Sequence, residues 1–217
     1  MGKKNKNKKI GKKTAKIASP KSVSDGNKWL PWLPWLLGFL AFLLYANTLG
    51  HQYALDDASV ITDNFVVKRG LAGWADIFTT NYRFGFWNST GTLYRPISLA
   101  VFAMVWQVSP DNPFVFHLIN VLFYAATIVV LFRTLSLLWP KLHEYFIGAI
   151  VFLFLTHPVH VEVVANIKSL DEILSFFFIL LAIQFYVKYL NQAKKGLLIT
   201  ALIFYTLSLF SLSLIHI

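Results

Sequence analysis

The sequence reads as an all-α polytopic membrane protein, and three observations point there. Of its 217 residues, 56% are hydrophobic and only 14% are charged, whereas a soluble domain is nearer one quarter charged. The apolar residues are gathered in runs, several of them long enough to span a bilayer, which takes about 20 residues as a helix. The charge is lopsided: of 20 Lys and Arg residues, ten are lysines between Lys3 and Lys28, with Asp25 the one acid among them. A basic block abutting an apolar helix signals topology and headgroup contact rather than a nucleic-acid partner. Residues 1–28, rich in Lys, Asn and Ser, are expected to form a disordered basic cytosolic tail.

The first span is Trp29–Leu49. Trp29, Trp32 and Trp35 suit the interface, and Pro31 and Pro34 are tolerable in a first helical turn. The border Leu44-Tyr45-Ala46-Asn47-Thr48 lacks a small-x-small cleavage site, so a retained anchor is expected rather than a signal peptide. Residues 50–96 form a polar, aromatic-rich outer loop, and loops this long are usually functional. Within it Gly70–Thr79 has Leu71, Trp74 and Phe78 on one helical face, as in an amphipathic helix lying on a membrane. Asn88-Ser89-Thr90 is a glycosylation sequon in a host that reads it.

Ile97–Val108 is apolar but only about a dozen residues long, too short for an ordinary span. The cluster Ser109-Pro110-Asp111-Asn112-Pro113 is a turn. Phe114–Leu138 is a clear span. Tyr145–Thr156 is a shorter apolar run that can extend to Ala165, Ile173–Tyr189 is a span, and Leu197 begins another. The last six residues, Leu212 to Ile217, are the translation of CTGTCTCTTATACACATC, the mosaic-end adaptor of transposase-made sequencing libraries. Residues 212–217 are therefore expected to be an adaptor-derived artefact, with the native chain continuing past Ser211, and His216 receives no role.

Charge selects a topology. If Ile97–Val108 crosses the bilayer, Arg133, Lys141, Lys188, Lys194 and Lys195 fall outside, against the positive-inside rule. If it lies in the outer interface or re-enters, all five fall inside with the basic tail. The second arrangement also gathers Asp56, Asp57, Arg95, His117, His157, His160, Glu162 and Asp171 at the outer face, and it is the one expected.

Each of these polar residues has a chemical and a structural reading. Asp56-Asp57 follows the first span. The pair can cap a helix, or a carboxylate there can serve as general base toward a hydroxyl, its pKa raised by partial desolvation. In Tyr94-Arg95-Pro96, Arg95 can snorkel to the interface or fork onto a phosphate; Arg83 and Lys168 are weaker candidates for that task. His117 and Asn120, three apart, share a helix face and can bond neighbouring helices or touch a substrate. His157, His160 and Glu162 invite a metal reading. However, Pro158 disfavours a regular helix through His157, and no zinc spacing matches. Asp171 can cap the following helix or add a second carboxylate. The absence of cysteine excludes disulfides and thiolate chemistry. No glycine-rich phosphate loop occurs for a soluble nucleotide-sugar, and no 34-residue repeat is present.

Taken in order, these landmarks resemble a known family. An acidic pair follows the first span, then come Tyr94-Arg95-Pro96, Phe116-His117-Leu118-Ile119-Asn120 and His157-Pro158-Val159-His160-Val161-Glu162, with Asp171 before the next span. The pattern is similar to the amino-terminal part of the transmembrane-and-tetratricopeptide-repeat O-mannosyltransferases and their bacterial relatives, polytopic glycosyltransferases of the C-type fold. The resemblance covers roughly residues 30–211, and it implies a partial transmembrane glycosyltransferase domain over 29–211. Such enzymes pass a sugar from a polyprenyl-phosphate carrier to an acceptor hydroxyl on the non-cytosolic side, a protein Ser or Thr included.

The resemblance further implies a catalytic base at Asp56 or Asp57, phosphate binding at Arg95 beside Tyr94, and a cavity lined by His117, Asn120, His157, His160, Glu162 and Asp171. The implied partners are the lipid-linked sugar donor, membrane lipid and a protein or glycan acceptor, with no certain cofactor and a divalent metal left open. The implied location is a bacterial inner membrane, or the endoplasmic reticulum membrane in a eukaryote, with the active site outside the cytosol. A non-catalytic scaffold that binds a partner is the alternative. A transporter is a second, although the internal repeat and broken helices expected of one are not visible.

Overall fold

The computed structural model describes residues 30–87 and 91–212. The basic tail, the sequon at 88–90 and positions 213–217 lie outside the described residues. Within them every regular element is helical. Helix α1 (Leu33–Tyr45) follows the tight turn Leu30–Trp32. Then come short loop helices α2 (Leu55–Asp57), α3 (Phe65–Lys68), α4 (Trp74–Thr79) and α5 (Phe84–Trp87). After them run α6 (Pro96–Val108), α7 (Pro113–Leu138), α8 (Glu144–Leu155), α9 (His160–Ala165), α10 (Leu170–Gln192) and α11 (Lys195–Ser211). Among the described residues three segments are long and apolar enough to cross a membrane: Leu33–Gly50, Pro113–Leu138 and Ile167–Gln192. The chain is a polytopic membrane protein.

Side-chain pairings fix the helix directions. α1 runs antiparallel to α7: Trp35 faces Arg133, Gly38 faces Val129, and Tyr45 meets Tyr124 edge-on. A Cβ at Gly38 would come within 2.7 Å of Val129 Cγ2 and 3.1 Å of the Ala125 carbonyl oxygen, so glycine lets these two helices approach closely. α10 runs parallel to α7. Asn120 Nδ2 donates to the Asn166 carbonyl at one end (2.9 Å), and Gln184 Nε2 donates to the Val130 carbonyl and Thr134 Oγ1 near the other (both 3.0 Å). α11 returns against α10, with Ser208 on Ser175 and Phe204 on Phe185. α8 lies against α1 and α7 through Gly148 on Leu33 and through Tyr124 Oη, which donates to the Leu155 carbonyl.

One end of the bundle therefore carries Arg133, Lys141, Lys188 and Lys195, and the other carries His51, Asp57, His117, Lys168 and Asp171. Between the ends, large apolar side chains stand exposed on the outside: Phe39 and Leu43 of α1, Phe146 and Leu153 of α8, and Leu202 and Ile203 of α11. Apolar patches of that extent need a non-aqueous neighbour, and lipid supplies it.

The short helix α6 does not run alongside α7. Its first turn follows Arg95, which bonds Asp171 at the start of α10, and its last turn feeds through residues 109–112 into the start of α7. Both of its ends thus lie at the polar end of the bundle. α6 packs instead on the 50–95 segment: Leu99, Phe102 and Ala103 share one buried cluster with Val60, Ile61, Val66, Val67, Ile77 and Tyr82. The loop is accordingly a folded cap with its own core.

The expected helix over Gly70–Thr79 divides into a tight turn, Gly70–Gly73, and α4. Gly70 sits at φ +60, a left-handed conformation suited to glycine. The apolar run from Tyr145 toward Ala165 also divides, into α8 and α9. Pro158 lacks an N–H and disfavours helical geometry at His157, so the chain turns there.

This arrangement is open to single-cysteine labelling, because the chain has no cysteine of its own. His51→Cys and Asp111→Cys are expected to react from the same side of the membrane, and Lys141→Cys from the other. Reaction of Asp111→Cys from the Lys141 side would mean that α6 crosses.

Candidate functional site

The two adjacent aspartates separate completely. Asp57 is the third residue of α2, and its carboxylate turns inward and is fully buried. One oxygen, Oδ2, accepts the Ala54 N–H at 2.7 Å and closes the first turn of its own helix; Oδ1 accepts the Lys168 N–H at 2.9 Å. This side chain thereby ties the cap to the turn Ile167–Ser169 that leads into α10. Burial raises the Asp57 pKa above the ordinary carboxylate value, and the two backbone N–H groups pull against that rise. Asp56, one residue earlier, faces outward. Its side chain is 56% exposed, and Oδ2 lies 3.8 Å from Lys168 Nζ.

A second buried carboxylate lies one turn beyond Lys168. Asp171 is 1% exposed; its Oδ1 accepts the Glu172 N–H at 2.8 Å, and its Oδ2 accepts from Arg95 Nη1 at 2.5 Å. Arg95 also lies over the ring of Tyr82, 5.6 Å from its centroid, and Tyr82 Oη reaches Asp171 Oδ2 at 3.4 Å. Tyr82 is wholly buried, and burial followed by the neighbouring Asp171 charge pushes its hydroxyl well above its usual range. Tyr53 is likewise pushed up, first by burial and then by Asp111 and Asp57. An arginine–carboxylate pair in a dry setting is favoured when its geometry is good and its other atoms are bonded; here Arg95 Nε is buried without a hydrogen-bond partner among the described residues.

The remaining site residues from the sequence fall into two sets. Tyr94 stands beside Arg95, its hydroxyl donating to the Phe78 carbonyl at 2.8 Å and its ring edge-on to Phe210. His117 is buried edge-on to His51, and Asn120 binds the Asn166 and Ile167 carbonyls just before Lys168. These residues join the corner. His160 packs between Phe154 and Tyr124, and burial lowers its pKa. His157 is exposed and its Nδ1 accepts the Val159 N–H; Glu162 is exposed on α9. None of these three lines the nearby cleft of 240 Å³, whose walls include Tyr45, Thr48, His51, Pro158 and Val161. Among the described residues no group of three or more His, Asp or Glu side chains could hold a metal ion.

Beside Tyr94 an apolar groove of 490 Å³ runs between α4, the start of α6, and α11. It is lined by Phe78, Ile97, Ile199, Leu202, Ile203 and Phe210. Tyr82 and Lys168 complete the corner. Lys168 is a weaker phosphate candidate in the sequence, whereas Tyr82, inside the outer loop, carries no sequence signal.

Comparison with known proteins places the chain among distant homologues of one family. Human Protein O-mannosyl-transferase TMTC1 is 29% identical over 159 residues, 70% of this chain and 17% of its own length. Human Protein O-mannosyl-transferase TMTC2 is 30% identical over 150 residues, 67% of this chain and 17% of its own. Protein O-mannosyl-transferase F38B6.6 of Caenorhabditis elegans is 28% identical over 153 residues, 66% of this chain and 21% of its own. The chain thus spans about one fifth or less of the curated relatives it matches. No family model matches, and no solved structure matches.

Removing either buried carboxylate's support should cost stability, whereas the exposed aspartate should not matter to folding. Asp57→Ala leaves the Ala54 N–H without an acceptor, leaves the Lys168 N–H with Asn166 Oδ1 alone, and is expected to cost about 2 kcal/mol. Arg95→Ala leaves Asp171 buried and unpaired and is expected to cost about 3–5 kcal/mol. Asp56→Ala should stay within about 0.5 kcal/mol of the parent. Unfolding curves in detergent would measure all three, and equal losses for Asp56→Ala and Asp57→Ala would contradict the assignment.

Proposed function

We propose, on the strength of the distant homology to protein O-mannosyl-transferases, that this chain carries the reaction corner of a membrane glycosyltransferase. It takes a sugar from a polyprenyl-phosphate carrier and passes it to a hydroxyl of an acceptor on the non-cytosolic side. The observation that carries the reading is the placement of an exposed carboxylate, Asp56, within ion-pair range of Lys168. Around this pair stand Asp57, Asp171 and Arg95, all at the bundle end opposite the basic one.

The division of labour follows from what each group has free. Both oxygens of Asp57 are held by backbone N–H groups, so Asp57 is the positioning residue. Asp56 faces solvent with its carboxylate available, which suits a general base, a role that requires reach to the proton it abstracts. The acceptor oxygen attacks the anomeric carbon as its proton passes to Asp56, and the bond from that carbon to the phosphate oxygen breaks. Polyprenyl phosphate departs with the electron pair and one more negative charge than it had as a diester. Cations fixed at that spot favour the transition state over the ground state. The groove lined by Phe78, Ile97, Ile203 and Phe210 suits the isoprenoid tail, which explains why such a reaction would be run inside a membrane protein. Orientation follows the positive-inside rule, with Arg133, Lys141, Lys188 and Lys195 in the cytosol.

The test is Asp56→Asn in protein reconstituted with polyprenyl-phosphate mannose and an envelope-protein acceptor. Transfer is expected to fall by about a hundredfold or more, with membrane insertion and thermal stability unchanged. Full activity in Asp56→Asn would show that another group takes the proton.

A further inference from the structure

We infer that Lys168, rather than Arg95, takes the phosphate of the lipid-linked donor, while Arg95 acts as a positioning residue behind it. This deepens the transferase reading above and rests on it. A cation that binds a phosphate must be accessible, little compensated by other groups, and fixed at its root.

The described cations of the cap are each engaged elsewhere. Lys68 Nζ donates to the Thr62 carbonyl at 2.9 Å and lies over the Trp106 ring. Arg69 is paired with Asp76. Arg83 stacks on Trp87, 4.9 Å from its ring centroid. Arg95 is the strongest rival, yet its Nη1 is spent on Asp171, a carboxylate that cannot turn to solvent, and its plane is laid over Tyr82. Pulling Arg95 onto a phosphate would strand the buried Asp171 charge, a loss of several kcal/mol.

Lys168 meets the three conditions. Its backbone N–H is held by both Asp57 Oδ1 (2.9 Å) and Asn166 Oδ1 (3.2 Å), so the root of the side chain is fixed at the start of the Ile167–Ser169 turn. Its side chain is 23% exposed, and its ammonium makes one ion-pair contact, with the largely exposed Asp56 at 3.8 Å, close to the outer limit for a pair. Asp57, Asp171 and Glu172 feel its charge at longer range, but a long pair with an exposed partner contributes little energy, so a phosphate oxygen can displace Asp56 from the ammonium at small cost. The exchange leaves the Asp56 carboxylate to accept the acceptor's proton. The same side chain therefore sits between the site of proton uptake and the site where phosphate charge grows as the sugar leaves. Asp57 acquires a second consequence, because the bond that ties the cap to α10 also aims Lys168.

The experiment uses the 217-residue protein in lipid nanodiscs, with binding of polyprenyl phosphate and of uncharged polyprenol followed by tryptophan fluorescence. Wild type is expected to prefer the phosphate. Lys168→Gln should weaken polyprenyl-phosphate binding by about tenfold or more and leave polyprenol binding unchanged; Lys168→Arg should restore most of the loss. Equal phosphate affinity in wild type and Lys168→Gln would overturn the inference. So would a parallel loss of polyprenol binding, which assigns Lys168 a structural role only. A wild type that does not distinguish polyprenyl phosphate from polyprenol would instead overturn the donor reading itself.

Discussion

Two carboxylates, Asp57 and Asp171, are buried at one end of an apolar helix bundle, and the rest of the polar corner is arranged to make that burial tolerable. A buried charge that is neither paired nor hydrogen-bonded costs far more than a domain can supply. Asp57 is satisfied by two backbone N–H groups that lie 114 residues apart in sequence, Ala54 and Lys168. Asp171 is satisfied by its neighbour's N–H and by the guanidinium of Arg95. These bonds join the cap, α6 and α10 at a single point. They do so where helix–helix packing alone would be weak, because lipid tails are as apolar as the helix faces and provide no hydrophobic drive between them.

The outward consequence is a contrast between neighbours. Asp56 and Asp57 have the same side chain, yet one is exposed and the other fully buried. A step of one residue along a helix rotates a side chain by about 100°, so when Asp57 is turned into the bundle Asp56 is turned out of it. The bonds that hold Asp57 therefore set where Asp56 points. They also hold the backbone of Lys168, which carries the cation facing Asp56. Geometry alone thus holds one of two identical residues inside and leaves the other facing out.

Much of this was legible in the sequence. The long apolar runs around α1, α7 and α10 fix the bundle through length and composition, and the dozen residues of Ile97–Val108 are too few for an ordinary span, in keeping with a helix whose two ends both lie at the polar end of the bundle. The cluster of Asp56, Asp57, Arg95, His117 and Asp171 could be anticipated from placing those residues at one end. Other features could not be read. Nothing in an Asp-Asp dipeptide says which member is buried. The Arg95–Asp171 pair joins residues 76 positions apart, a contact that periodicity does not encode. Tyr82 sat in a stretch with no helical or strand pattern, although it is a fully buried anchor of the cap. His157 and Glu162, which the resemblance groups with Asp171, are exposed on either side of the turn at Pro158.

In the transferase proposed above, the charged corner and the apolar groove beside it are two halves of one lipid-phosphate site. Photocrosslinking a diazirine-bearing polyprenyl phosphate to the protein in nanodiscs, with the adducts mapped by mass spectrometry, tests that pairing. The expected result is labelling concentrated on the groove residues Phe78, Ile97, Ile203 and Phe210, suppressed by excess unlabelled polyprenyl phosphate. Adducts spread over the exposed faces of α1 and α8, indifferent to competitor, would contradict it.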